Sequence, residues 1–404
     1  MAIVEPFAAL RPRPELAARV AELPYDVMSS DEARQRAAGN PLSFLRVSKP
    51  EIELPTGTDP YSPEVYARAG KNFRRFIADG VLRPDPQPCF YLYQQVMGGH
   101  CQVGFVAVVS CQDYLDNTVK KHELTRLDKE DDRVRHLEAL NAQTGPAFLV
   151  YRATGALDTM LARETVGSPE IDFNAPDRVR HTCWTIADKD TIARIRAAFR
   201  EMPNLYIADG HHRTAAAARV FQARQGAGRS GFFLAVLFPH DRVQILPYHR
   251  AVMDLNGLTP EAFLDRLRSV ALVEERSPAT PCGKGEVALY LGDRWRALKF
   301  KPELAAVRDP LESLDVTLLQ RQVLAPILGI EDPRRSERIQ FVGGLRGAKE
   351  LERLVEGGEC AAAFAMSPTS VDDLLAVAGA GGIMPPKSTW FEPKLRDGLF
   401  CHGL

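Results

Sequence analysis

The chain has 404 residues, 45% of them hydrophobic and 25% charged, which exceeds the usual span of one hydrophobic core and is an ordinary globular composition. A count of 51 Lys and Arg against 52 Asp and Glu leaves a formal net charge of -1, so no global basic field draws the chain to nucleic acid or to an anionic membrane. The N-terminus lacks a basic segment followed by an apolar run, and no stretch approaches the ~18 apolar residues of a membrane span; a cytoplasmic protein is expected. Its 7 cysteines are widely spaced with no C-x-x-C pair, which argues against a disulfide framework or a zinc ribbon and leaves packing as their role.

In chain order, the first stretch carries apolar residues at helical spacing in segments broken by proline: Leu16, Val20 and Leu23, then Pro24-Tyr25-Asp26. A longer helix is predicted from about Pro63 to Asp79, with Val65, Ala69, Phe73, Phe76 and Ile77 on one face and Gly80 as its stop. From Cys89 the period changes. CFYLYQQV and VGFVAVVSC, joined by Met97-Gly98-Gly99-His100, outline a hairpin. Further strands are predicted at Phe148 to Tyr151, His181 to Ile186, Leu205 to Ala208, Phe232 to Phe238 and Val243 to Leu246, with helices near 127 to 142, 188 to 200 and 212 to 224. The stretch Ser277 to Gly285 (SPATPCGKG) is a composition break and a candidate boundary. Beyond it the pattern predicts strands at Val287 to Leu291 and Trp295 to Phe300, a helix from about Pro310 to Leu324, and a tail containing Met384-Pro385-Pro386-Lys387-Ser388-Thr389-Trp390-Phe391. Strands and helices mix without strict alternation, which predicts α+β rather than a doubly wound sheet.

In NLYIADGHHRTAAAARVFQAR, Leu205 to Ala208 read as a buried strand and Ala215 to Phe221 as part of a strong helix, so Asp209-Gly210-His211 is the joint. A tight strand-to-helix turn containing glycine brings backbone N–H groups and the positive end of the helix dipole to one point, a setting for phosphate. Arg213 adds a permanent charge with a forked donor set, and His211 and His212 add donors whose charge changes near neutral pH. Two other readings stand beside it. Asp209 could simply cap the helix while the histidines pack or face water. Alternatively, His211, His212 and Asp209 could hold a transition metal with His181, His240 or His249, although adjacent histidines in one turn rarely ligate one ion.

A second cluster, VKKHELTRLDKEDDRVRHLEAL, places Lys121, His122, Glu123 and Thr125 before a predicted helix whose first turns hold Lys129, Glu130, Asp132 and Arg133. Cations for phosphates and a carboxylate to accept a hydroxyl proton are what phosphoryl transfer needs. The plainer reading is a solvated helix start capped by Thr125 and Asp128. Lesser candidates are Pro24-Tyr25-Asp26 as a turn, Pro247-Tyr248-His249-Arg250 as the source of a cation, and Lys387-Ser388-Thr389 as a phosphate contact on a proline-stiffened loop.

YIADGHHRTAAAA, VKKHELT with its downstream KEDDR, LPYDVMSSDEAR and the closing MPPKSTWFEPKLRDGL together resemble a widespread prokaryotic family of unknown function. The strand-DGHHR-helix unit is similar to the D-G-H-x-R signature of free serine kinases in the ParB/sulfiredoxin superfamily. That resemblance implies phosphate or Mg²⁺ contacts from Asp209, Gly210, His211 and Arg213, and Glu123 of the His122-Glu123 pair as the base that deprotonates a serine hydroxyl. The position of sulfiredoxin's reactive cysteine holds His211, which argues against sulfinic acid reduction, and the DNA-binding helix-turn-helix of partition proteins has no counterpart.

The expected organisation is a mainly helical region over 1–84, a ParB/sulfiredoxin-like nucleotide-binding core over 85–255 and an αβ region over 256–404. The expected activity is phosphoryl transfer from ATP or ADP, with Mg²⁺ at Asp209, to a small hydroxylated metabolite such as L-serine. Glu123 and His122 with Asp209 and His211 would do the chemistry. Gly210, His212, Arg213, Lys121, Lys129, Arg133, Lys387 and Ser388 would contact nucleotide or phosphate. A nucleotide-binding regulatory module and a metal-dependent hydrolase or phosphatase built on His211 and His212 are the alternatives. Catalysis by residues 209–213 requires that Glu123 and its neighbours face them.

Overall fold

The computed structural model describes residues 1–275, 281, 283–305 and 307–404. These form two compact units, Met1–Val243 with Pro393–Leu404, and Gln244–Glu392. The stretch 1–84 and most of 85–255 therefore belong to one unit, to which the end of the chain returns: Leu10 and Cys401 exchange backbone hydrogen bonds at 2.9 Å in both directions. Of the candidate boundary Ser277 to Gly285, residues 277–280 and 282 lie outside the described residues. No helix among the described residues is long and apolar enough to cross a membrane.

The first unit mixes helices with a nine-stranded sheet, the α+β organisation that the element pattern predicts. Helix α1 (Pro63–Ala78) begins with proline in its first turn, where the missing N–H costs nothing, and buries Val65, Ala69, Phe73 and Phe76 on one face. Strands β1 (Phe90–Met97) and β2 (His100–Ser110) form the predicted hairpin, with Met97 opposite His100 across Gly98-Gly99. They are followed by β3 (Val119–Lys120), α2 (Leu127–Leu140), β4 (Ala147–Tyr151), β5 (Ile171–Asn174), β6 (Arg180–Ile186), α3 (Lys189–Arg200), β7 (Leu205–Asp209), α4 (His211–Ala223) and β8 (Phe232–Pro239).

The strand order is β3-β7-β4-β8-β2-β1-β6-β5, and Val4–Glu5 pairs with β2. Every residue of β4 is buried, and β8 is buried after its first, so both read as continuous apolar runs. The core joins Leu92, Phe105, Leu149, Phe199, Ile207 and Phe233 from these elements. A second cluster gathers Phe44, Phe73 and Phe76 with Leu140 and Cys401.

One pairing positions the site. Strand β7 runs parallel to β3, with Leu205 opposite Val119 and Tyr206 opposite Lys120. Each strand leads into a helix, α2 after β3 and α4 after β7, so two strand-to-helix turns lie side by side at the same sheet edge. Helix α4 buries Ala215, Ala216, Ala217, Ala218 and Val220, and this small-residue stretch lets its backbone lie close to its neighbours.

The second unit is built on an antiparallel six-stranded sheet. Its strands β9 (Tyr248–Val252), β10 (Ala271–Glu275), β11 (Glu286–Leu291), β12 (Arg294–Phe300), β13 (Ile339–Gly343) and β14 (Ala362–Ala365) take the order β10-β12-β11-β14-β9-β13. The predicted helix from Pro310 to Leu324 is shorter than its pattern, α-helical over Asp315–Leu319 and then a π-type turn over Gln320–Leu324. The Asp309 carboxylate takes the N–H groups of Leu311 and Glu312, closing the preceding segment as a turn.

Candidate functional site

Strand β7 ends at Asp209, and Gly210 turns the chain in the left-handed region at φ 94° before α4 begins at His211. A side chain at position 210 would place its Cβ 3.3 Å from both the Ala147 Cα and the Arg213 Cζ, so glycine meets both a conformational and a spatial demand. Among the described residues no side chain caps the start of α4, which leaves its first N–H groups available to an anion. Asp209 is therefore not the helix cap that one reading of the sequence made it. Its carboxylate meets the Lys394 ammonium at 2.9 Å and the Arg213 guanidinium at 3.6 Å. Burial pushes this carboxyl up, but Lys394 and Arg213 outweigh it and hold it below the usual carboxylate range.

The turn after β3 brings the second set of groups. The rings of His122 and His211 meet edge to face with centroids 4.5 Å apart, and the Glu123 carboxylate lies 4.0 Å from the His211 Nδ1. Both imidazoles are buried while the Glu123 side chain is 45% exposed. Burial lowers His122 to about 4, and burial reinforced by His122 lowers His211 well below its ordinary value, so both rings are neutral at pH 7. The His211 Nε2 is buried without a hydrogen-bond partner among the described residues.

His212 ties the two turns together. Its Nε2 accepts the backbone N–H of Arg126 at 3.1 Å, which places its proton on Nδ1. Arg126 occupies the cap position of α2, again without a side-chain cap. The expected Thr125 and Asp128 cap is not formed: the Thr125 hydroxyl donates to Glu130 and Asp128 pairs with Arg126. Glu130 and Asp131 of α2 bind Arg219 of α4 at 3.3 and 2.7 Å.

The arrangement is a pair of uncapped helix starts with neutral imidazoles at their junction and a carboxylate open to solvent beside them. It can hold an anion on backbone N–H groups while Glu123 accepts a proton. Residues 4–317 match the model of a family described as a protein of unknown function (DUF1015). The chain belongs to this family. Curated proteins give no match. Similar solved structures include a conserved hypothetical protein from Pyrococcus furiosus (15% identity, TM-score 0.36, covering 73% of this chain and 94% of that one). Others are a free serine kinase mutant in complex with ADP (15%, TM-score 0.37, 73% and 92%) and C-terminally truncated SbnI from Staphylococcus aureus (10%, TM-score 0.39, 72% and 85%).

In this DUF1015 chain, then, His122, Glu123, Asp209, Gly210, His211, His212 and Arg213 come together. The other predicted contacts have partners elsewhere. The Lys121 ammonium lies 4.1 Å from the centre of the Tyr114 ring, Lys129 bonds the Tyr61 hydroxyl, and Arg133 stacks on Tyr25 at 3.6 Å while binding Asp132 at 2.7 Å. Lys387 and Ser388 belong to the second unit, where Lys387 lies over Tyr248 and the Ser388 hydroxyl donates to the Pro385 carbonyl.

The histidines proposed as metal partners of His211 are also committed elsewhere. His181 bonds Tyr93 and Arg396 through its two ring nitrogens, the Nδ1 of His240 accepts the Ala153 N–H, and His249 accepts that of Met366 in the second unit. The imidazole beside His211 is His122. Sequence reasoning missed Lys394; its one signal was its place in the FEPKLRDG stretch of the closing motif.

Proposed function

We propose that this chain catalyses nucleotide-dependent phosphoryl transfer to a small hydroxylated metabolite, with free L-serine as the first acceptor to test, on a ParB/sulfiredoxin-like core. The observation that supports this most is the Glu123 carboxylate 4.0 Å from His211 at the uncapped start of α4. In this reading the α4 N–H groups hold the transferring phosphate, Glu123 accepts the acceptor's hydroxyl proton, and His122 fixes the His211 ring edge to face. Asp209, clamped by Lys394 and Arg213, positions the turn. That clamp does not suit a resident Mg²⁺, because both oxygens of the carboxylate meet cations. Mg²⁺ enters the assay as the counter-ion of ATP or ADP.

The test is to incubate the full chain with ATP or ADP, Mg²⁺ and a pool of amino acids, and to follow ³¹P resonances for a new phosphomonoester. Product with L-serine is the expected result. Nucleotide that raises the melting temperature without any product would instead make the chain a nucleotide-responsive module. A second reading has its own observation: donor atoms of His122, Glu123 and His211 all lie within 4.8 Å of one another, and two neutral imidazoles with a carboxylate form a donor set that zinc accepts. Stoichiometric zinc or iron in the purified protein, with hydrolysis of phosphate esters and no transfer, would favour that hydrolase.

A further inference from the structure

Behind the β7 turn, within the first unit, lies a cavity of about 50 Å³ whose lining includes Tyr25, Arg133, Gly145, Arg213 and Asp397. A bound water occupies roughly 10–15 Å³ of such space, so the cavity has room for about four water-sized groups. Asp397 is 3% exposed and its place is fixed by the backbone: it exchanges hydrogen bonds with Glu22 at 2.9 and 3.2 Å. Its carboxylate, in contrast, has no hydrogen bond or ion pair among the described residues, and Oδ1 is fully buried. Across the cavity, Arg213 gives one terminal nitrogen to the Pro146 carbonyl at 2.5 Å and turns the other to Asp209, while its Nε–H is buried and unpartnered. Gly145 keeps the space clear, since a Cβ there would stand 2.6 Å from the Asp397 Oδ1.

Buried polar groups in folded chains are almost always satisfied, and an orphaned one costs free energy. Here an acceptor and a donor are both left unsatisfied on the walls of one small space, with a second guanidinium, Arg133, beside them. A plain carboxylate would satisfy the arginines and add a like charge opposite Asp397. A plain amine would satisfy Asp397 and face two cations. A molecule carrying both charges meets both walls. We infer that this cavity binds a short zwitterion, an ammonium and a carboxylate one carbon apart on a two- or three-carbon frame, with Asp397 taking the ammonium and Arg213 and Arg133 the carboxylate. Nothing in it depends on phosphoryl transfer.

The test uses the full chain without nucleotide, so failure here and failure of the transferase reading are separate results. Calorimetry and thermal melting are run with glycine and L-alanine, and with acetate, glycolate and methylammonium at matched ionic strength. The zwitterions are expected to bind saturably and raise Tm, with the single-charge compounds at least about tenfold weaker. Asp397→Asn should lose this binding while its unliganded Tm stays equal or rises, because an unpaired buried carboxylate has been removed; a purely structural Asp397 would give a lower Tm. Gly145→Ala crowds the same carboxylate without deleting it, should lose binding as well, and decides the matter if Asp397→Asn fails to fold. Acetate or glycolate binding as tightly as glycine, no saturable binding by any zwitterion, or zwitterion binding retained in these variants would overturn the inference.

Discussion

The two turns at the edge of the first unit's sheet share a plan and differ in finish. Each follows one of two parallel strands and opens a helix that no side chain among the described residues caps. At the β7 turn the charged groups are secured: Asp209 between Lys394 and Arg213, Arg213 on the Pro146 carbonyl, and glycine at the one position that needs φ 94°. At the β3 turn Glu123 is nearly half exposed, with its carboxylate 4.0 Å from the His211 Nδ1. A binding element gains from groups fixed in place before the ligand arrives. A proton acceptor has to reach its substrate, and its contacts often tighten only in the complex. In the proposed function the β7 turn holds the anion and the β3 turn supplies the proton acceptor.

The sharpest way to break this division is Glu123→Gln, which should lower turnover by about 10²–10⁴-fold while leaving the calorimetric Kd for nucleotide nearly unchanged. Weaker binding with full turnover would reverse the two roles. A pH effect of smaller size is expected behind the β7 turn. Burial pushes the Asp397 carboxyl up to about 7, with Arg213, Arg133 and Arg396 pulling it down and Asp26 adding to the rise. The folded chain then keeps a proton that the unfolded chain releases near pH 4, so this group favours folding most below about pH 4, and that contribution fades as pH rises through about 7. Denaturant melts of the wild type and Asp397→Asn across that range should diverge by as much as roughly 4 kcal/mol; parallel curves would mean that the carboxyl is not held in this state.

Lys394→Met strips the partly buried Asp209 of its closest cation and should cost about 3 kcal/mol, read as a lower denaturation midpoint at unchanged m-value. If stability is unaffected, the β7 turn is not secured as described. Gly210→Ala should cost roughly 1–2 kcal/mol for the left-handed backbone and weaken nucleotide binding without altering the pH dependence of turnover. An alanine variant with unchanged affinity would show that the turn tolerates another geometry.

Much of this was legible in the sequence where the signal is local. The hairpin around Gly98-Gly99, helix α1 and the strand-turn-helix of residues 205–223 all follow from periodicity and punctuation within a few residues. What stayed hidden depends on distant pairing. Strand β3 is only Val119–Lys120, too short to carry an alternating pattern, yet its parallel pairing with β7 is what brings His122 and Glu123 to His211. Lys394 reaches Asp209 across 185 positions of chain, and Asp397 reaches its cavity the same way, through a tail that pairs with the beginning of the chain. The His211-His212 adjacency suggested a shared metal, but consecutive residues at a helix start point apart, and His212 turns to Arg126 instead.

The central claim is that the two turns make one site, and a double-mutant cycle of Glu123→Gln and His211→Asn on phosphomonoester formation tests it most directly. Residues in contact within one site lose activity non-additively, so the double variant should be clearly faster than the product of the two single losses. Losses that multiply in full would mean that the two turns act independently of each other and would contradict the account.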